Sequence, residues 1–221
     1  MPLLYSSASF LGAFLLFSLQ PMIAKMMLPQ FGGAPSVWNT CMVFFQAMLL
    51  AAYGYAHATS GWIGARRQSL LHLGLLALPI AALPVAVPAG VMGEAYPALR
   101  LLGRLLAAAG LPFFVVATTA PLLQRWFASS GHPRSDDPYF LYAASNAGSL
   151  IGLVGYVTLI EPNLSLGGQA RLWAVGYGIL AGLILACAVT LRRAPVTQVG
   201  PEGGTPVGLR SGATVGIPHA F

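Results

Sequence analysis

The stretch QPMIAKMMLPQFGGAPSVWN, Gln20 to Asn39, decides how this sequence folds. An apolar run that begins at Leu3 leads into it, and a second apolar run follows it. Between them lie Gln20, Lys25, Gln30 and Asn39, three prolines, and the Gly32-Gly33 pair. Proline in a helix interior removes a backbone donor and crowds the preceding turn. The stretch therefore reads as a helix end, a tight or re-entrant connection at a membrane surface, and a helix start. Its polar residues are the best candidates for a site on the side away from the cytoplasm.

The membrane reading rests on composition. The chain has 221 residues, 57% hydrophobic and only 7% charged, whereas a soluble domain carries about 25% charged residues. The mean hydropathy of +0.74 agrees. An aqueous surface cannot be built from so few charges. The net charge of +6 comes from single or paired basic residues, with no stripe of the kind that binds nucleic acid. Cys41 and Cys187 lie in apolar segments and read as small hydrophobes, neither a disulfide framework nor a metal site. No Lys or Arg precedes the first apolar run, so it reads as a retained helix rather than a secretion signal.

About 20 apolar residues cross a bilayer core as a helix. Six segments qualify: Leu3–Ala24, Val37–His57, Ser69–Val91, Leu101–Leu123, Tyr139–Ile160 and Leu172–Leu191. Their continuous apolar runs fit helices rather than barrel strands. The expected fold is an all-α polytopic bundle over residues 1–193. Pro79, Pro84 and Pro88 are expected to kink the third segment, and Pro112 and Pro121 the fourth. Residues 194–221, rich in Gly and Pro, read as a disordered tail or linker.

With a cytoplasmic N-terminus, that side holds Arg66, Arg67, Arg125, Arg134, Arg192, Arg193 and Arg210. The other side holds Lys25, Arg100, Arg104 and Arg171. The excess favours both termini in the cytoplasm; a bacterial inner membrane is the expected location. Ala144, Gly148 and Gly152 recur every four residues, with Gly155 beside them, and Gly178 and Gly182 repeat the spacing. Small residues so spaced let helices approach closely. The fifth helix is therefore expected at the bundle centre, against the sixth.

Polar side chains in lipid are costly and tend to face an interior. Lys25 either snorkels to the interface or points inward towards an anionic group. Gln20 precedes Pro21, which frees a carbonyl near Phe17 for Gln20 or a ligand. Ser36 reads as a cap for the second helix. Asn39 and Gln46, seven residues apart, share a helical face and either line a polar path or bond between helices. Asn146 lies among the small residues of the fifth helix. These five, Gln20, Lys25, Asn39, Gln46 and Asn146, are the candidate substrate-binding residues. Glu161 reads as solvated or paired with Arg171, and the four histidines show no metal spacing. No GxSxG, HExxH or GxxxxGK[ST] motif occurs. No catalytic residue, metal or cofactor is assigned.

The run LFSLQPMIAKMMLPQFGGAPSVWNTCMVFFQAMLLAAYGYAH resembles the membrane domain of the fused major facilitator/spermidine synthase family. LPFFVVATTAPLLQRWFA (111–128), DPYFLYAASNAGSLIGLVGY (137–156) and LIEPNLSLGGQARLWAVGYG match the same pattern, so the resemblance covers roughly residues 10–185. It implies a membrane domain followed by a soluble spermidine-synthase-like domain. The sequence stops at Phe221, where that domain is expected to begin, and carries no aminopropyltransferase motif. The loop AHATSGWIGARRQSLL is similar to the major facilitator basic turn in Gly64, Arg66 and Arg67, without its acidic residue. Three functions follow as expectations: a membrane anchor or partner for a synthase-like domain on another chain; a half-size, homodimeric transporter of a small metabolite; or a truncated, inactive remnant. Polyamine transport in particular lacks its carboxylates, since Glu94, Glu161 and Asp136-Asp137 fall at membrane edges.

Overall fold

The computed structural model describes residues 1–87, 96–135 and 137–193. Among these residues the chain is helical, without a strand. Helix α1 runs Pro2–Phe31 and α2 Pro35–Trp62. The short α3, Gly64–Ala77, continues as a 3₁₀ stretch over Leu78–Ala82. Helices α4 (Pro97–Ala128), α5 (Tyr139–Asn163) and α6 (Leu166–Arg193) complete the bundle. All but α3 are long and apolar enough to cross a membrane.

The opening stretch folds differently from its sequence reading. Pro21 and Pro29 both lie inside α1, which continues to Phe31. Met22, Ile23, Ala24 and Met27 are all buried beyond Pro21, so packing against neighbouring helices outweighs two lost backbone hydrogen bonds. The connection shrinks to 32–34. Gly32, at φ +75°, supplies the left-handed turn, and its N–H bonds to the Leu28 carbonyl at 2.8 Å. Extended Ala34 then precedes Pro35 at the first position of α2. Ser36 therefore lies within the helix instead of capping it, and its carbonyl accepts from the Thr40 hydroxyl.

The third segment begins earlier and leaves the α-helix sooner than Ser69–Val91. It turns 3₁₀ at Leu78 and non-helical after Ala82, where Pro79 and Pro84 remove donors. At 1.5 and 2.0 Å per residue its 14 helical and 5 3₁₀ residues extend about 30 Å, the depth of a bilayer core. Its expected end, with Pro88 and Val91, lies outside the described residues, as do Glu94, Asp136 and the expected tail 194–221.

The fourth and fifth helices keep their paths past proline by widening. α4 carries a π-turn over Leu106–Gly110, just before Pro112, and α5 one over Tyr156–Ile160, just before Pro162. The extra residue relieves the ring's clash with the preceding turn. Pro121 sits inside α4 with no break.

The central helix is α1, not α5. It packs most extensively on α5, then on α4 and α6. A Cβ at Gly148 would sit 2.2 Å from the Phe10 carbonyl oxygen, and one at Gly152 2.7 Å from that of Phe14. The small-residue stripe is thus a backbone-to-backbone seam between α5 and α1. A Cβ at Gly178 or Gly182 would meet nothing within 4 Å among the described residues, so these two form no seam. On the other flank α2 packs on α4, and α3 lies against α6 and α4.

Side-chain ties identify one end of the bundle. There Tyr5 donates to the Cys187 carbonyl at 3.1 Å and stacks edge-on against Phe127. Arg125 donates to the Ser60 carbonyl, and Arg134 lies over the Phe140 ring at 5.2 Å. The start of α1, the α2–α3 turn, the α4–α5 connection and the end of α6 therefore meet. Arg66, Arg67, Arg125, Arg134, Arg192 and Arg193 all belong to this rim.

Candidate functional site

The five residues singled out from sequence do not converge. Asn39 and Gln46 share a face of α2, as their spacing predicts, but that face is exposed. Asn146 lies on the opposite side of α5 from the Gly148 seam and is exposed as well. Gln20 is half-buried on α1. Only Lys25 meets a charged partner: its ammonium donates to Glu161 Oε1. Lys25 thus takes the place expected for Arg171 as the partner of Glu161, and Arg171 bonds the Gly167 carbonyl on its own helix at 3.3 Å. Lys25 sits six residues before the end of α1, roughly 9 Å along its axis. The pair's side chains are 39% and 36% exposed, towards the C-terminal ends of α1 and α5.

Beside this pair, α1, α5 and α6 enclose a groove of about 230 Å³. Leu15, Ser18 and Met22 line it from α1, Ile160 from α5, and Trp173 and Ile179 from α6. Its walls are nearly all apolar, and their polar atoms bond within the protein. Trp173 Nε1 donates to the Leu15 carbonyl at 2.9 Å, and Ser18 donates to the same carbonyl at 3.2 Å. Tyr156 donates to Gln169 Oε1 at 2.9 Å, and Gln169 Nε2 to the Leu164 carbonyl at 2.8 Å.

A second polar cluster, missed by the sequence reading, lies between α2, α3 and α4. Gln68 is fully buried. Its Nε2 donates to Thr59 Oγ1 at 2.8 Å and Ser60 Oγ at 3.0 Å, and its Oε1 accepts from Trp126 Nε1 at 3.1 Å. His72, also buried, places Nδ1 3.5 Å from Thr118 Oγ1 and packs edge-on against Trp126. The Tyr55 ring lies 6.5 Å away, centroid to centroid. His72 Nε2 and the Tyr55 hydroxyl are both buried without a hydrogen-bond partner among the described residues. Such groups are uncommon in packed interiors and mark a place able to bind a small polar species. Gln68 looked like a loop residue, one position before the expected third span; its burial comes from α4 folding across the α2–α3 turn.

Cys41 and Cys187 are free and buried on different helices. Among the described residues no three His, Cys, Asp or Glu side chains gather as metal ligands. The geometry can thus hold an apolar group in the groove, a dipolar one at the Lys25–Glu161 pair, and a small polar one near His72. Comparison with protein-family models, with curated proteins and with solved structures returned no match.

Proposed function

We propose that this chain is the membrane domain of a spermidine-synthase-like system, holding a soluble synthase-like domain of another chain at the bilayer surface. The observation that carries the reading is the rim of six arginines at one end of the bundle, where α6 hands the chain on beyond Arg193. Arginine gathers on the cytoplasmic side of membrane proteins. That tendency supports a cytoplasmic rim and cytoplasmic termini, and the membrane proposed is a bacterial inner one. A basic rim also suits an acidic protein surface, whose attraction would fall with salt. The sequence blocks over residues 10–185 support the same assignment by resemblance. The test is purification of the full chain from its native membrane in mild detergent at low salt. Recovery of a synthase-like polypeptide in equal amount supports the proposal, and its consistent absence rejects it.

A second reading, a half-size transporter working as a homodimer of bundles resembling half a major facilitator, draws on the outward amides. Gln46 and Asn146 are exposed inside the spans of α2 and α5. Amides facing lipid are costly and are commonly covered by another helix. Reconstituted vesicles test this reading. Metabolite uptake that falls in Lys25→Leu and Asn146→Leu supports it, whereas uptake unchanged by both counts against it.

A further inference from the structure

We propose that the groove between α1, α5 and α6 holds one acyl chain of a zwitterionic phospholipid whose headgroup carries a primary ammonium, with that headgroup seated on the Lys25–Glu161 pair. This inference goes beyond the partner-domain reading and stands without it.

The chemistry of the walls selects the tail. Every polar side chain that faces the groove is bonded within the protein: Ser18 and Trp173 to the Leu15 carbonyl, Tyr156 and Gln169 to each other. Each of these groups already has a partner inside the protein and the rest of the lining is apolar, so a hydrocarbon chain fits better there than a sugar or a water cluster. The groove opens sideways through α6. Its lip residues Leu172, Val175 and Ile179 are 48%, 62% and 56% exposed, on the face that a membrane would cover. Length selects the same occupant. The lining runs along α1 from Leu11 to Met22, roughly 16 Å of helix rise. That is about half of a 30 Å hydrocarbon core, the depth of one leaflet.

Charge complementarity selects the headgroup. One turn beyond Met22 stands Lys25, and next to Ile160 stands Glu161. The two bond each other while remaining partly exposed. An ammonium has three donors and a carboxylate about four acceptor sites, so a single mutual bond leaves capacity on both. A phosphate oxygen can accept a hydrogen bond from the Lys25 ammonium while the lipid's own ammonium donates to Glu161. An anionic headgroup would satisfy Lys25 but repel Glu161.

The test uses the full chain in vesicles of equal phosphatidylethanolamine and phosphatidylglycerol. The protein is extracted in mild detergent, and the lipids left on each chain are weighed by native mass spectrometry. One retained lipid per chain is expected, with phosphatidylethanolamine preferred by about tenfold, or 1.4 kcal/mol. Ile179→Trp fills the lip and is expected to abolish retention while the helical signal and unfolding midpoint hold. Should that variant misfold, Val175→Phe on the same lip carries the same expectation. Lys25→Met and Glu161→Gln are expected to keep a lipid but lose the preference. Retained lipid that mirrors the vesicle mixture in the unchanged protein would overturn the headgroup assignment. Retention unaffected by the lip variants would overturn the groove.

Discussion

Gln68 links three helices with a single amide: it donates to Thr59 and Ser60 near the end of α2 and accepts from Trp126 on α4. Gln68→Leu leaves the buried Trp126 Nε1–H without an acceptor, and we expect a loss of about 1–3 kcal/mol in detergent unfolding. His72→Phe has the opposite expectation. The ring already carries one unpartnered nitrogen and one long contact to Thr118. An apolar ring of similar shape should therefore be neutral to within about 1 kcal/mol or stabilising. The Lys25–Glu161 pair is over a third exposed at both partners. A double-mutant cycle on Lys25→Met and Glu161→Gln should return a coupling below about 1 kcal/mol that shrinks as salt rises. At this scale the sequence was least informative. An exposed Asn146 and a buried Gln68 are both amides beside apolar runs; which one faces the interior depends on contacts between distant helices, and no local pattern encodes those.

At the scale of the element, the α1–α5 seam is the feature that packing most tightly constrains. A side chain at Gly148 or Gly152 would strike backbone, which cannot swing aside. Gly148→Val and Gly152→Val are each expected to cost about 1–3 kcal/mol or more. Gly178→Ala and Gly182→Ala, with open space around them, should stay within about 0.5 kcal/mol. Unfolding midpoints of the four variants check the contrast. The spacing of small residues was legible and correctly marked close helix contact, but it could not name the partner. The same spacing occurs in α6, where an added Cβ would meet open space among the described residues. Proline was misleading in α1 for a related reason. Pro21 and Pro29 do remove hydrogen bonds, yet the buried residues between them hold the helix in place. Where proline coincided with weaker packing, after Ala77, the helix did yield.

For the whole molecule, the all-helical bundle and most of its spans followed from composition and apolar run length, because lipid leaves the backbone few other options. Helix order and depth did not follow, since any span can pack on any other until side chains choose. The central claim concerns the basic rim where the bundle ends, and it is tested most directly by a salt titration of the native complex. The full chain is purified at low salt, a bound synthase-like polypeptide is quantified, and the salt is then raised. The account predicts equal amounts at low salt, release over the range in which exposed charges are screened, and earlier release for Arg192→Ser with Arg193→Ser. A bundle that purifies alone, or only with copies of itself, at every salt concentration would contradict it.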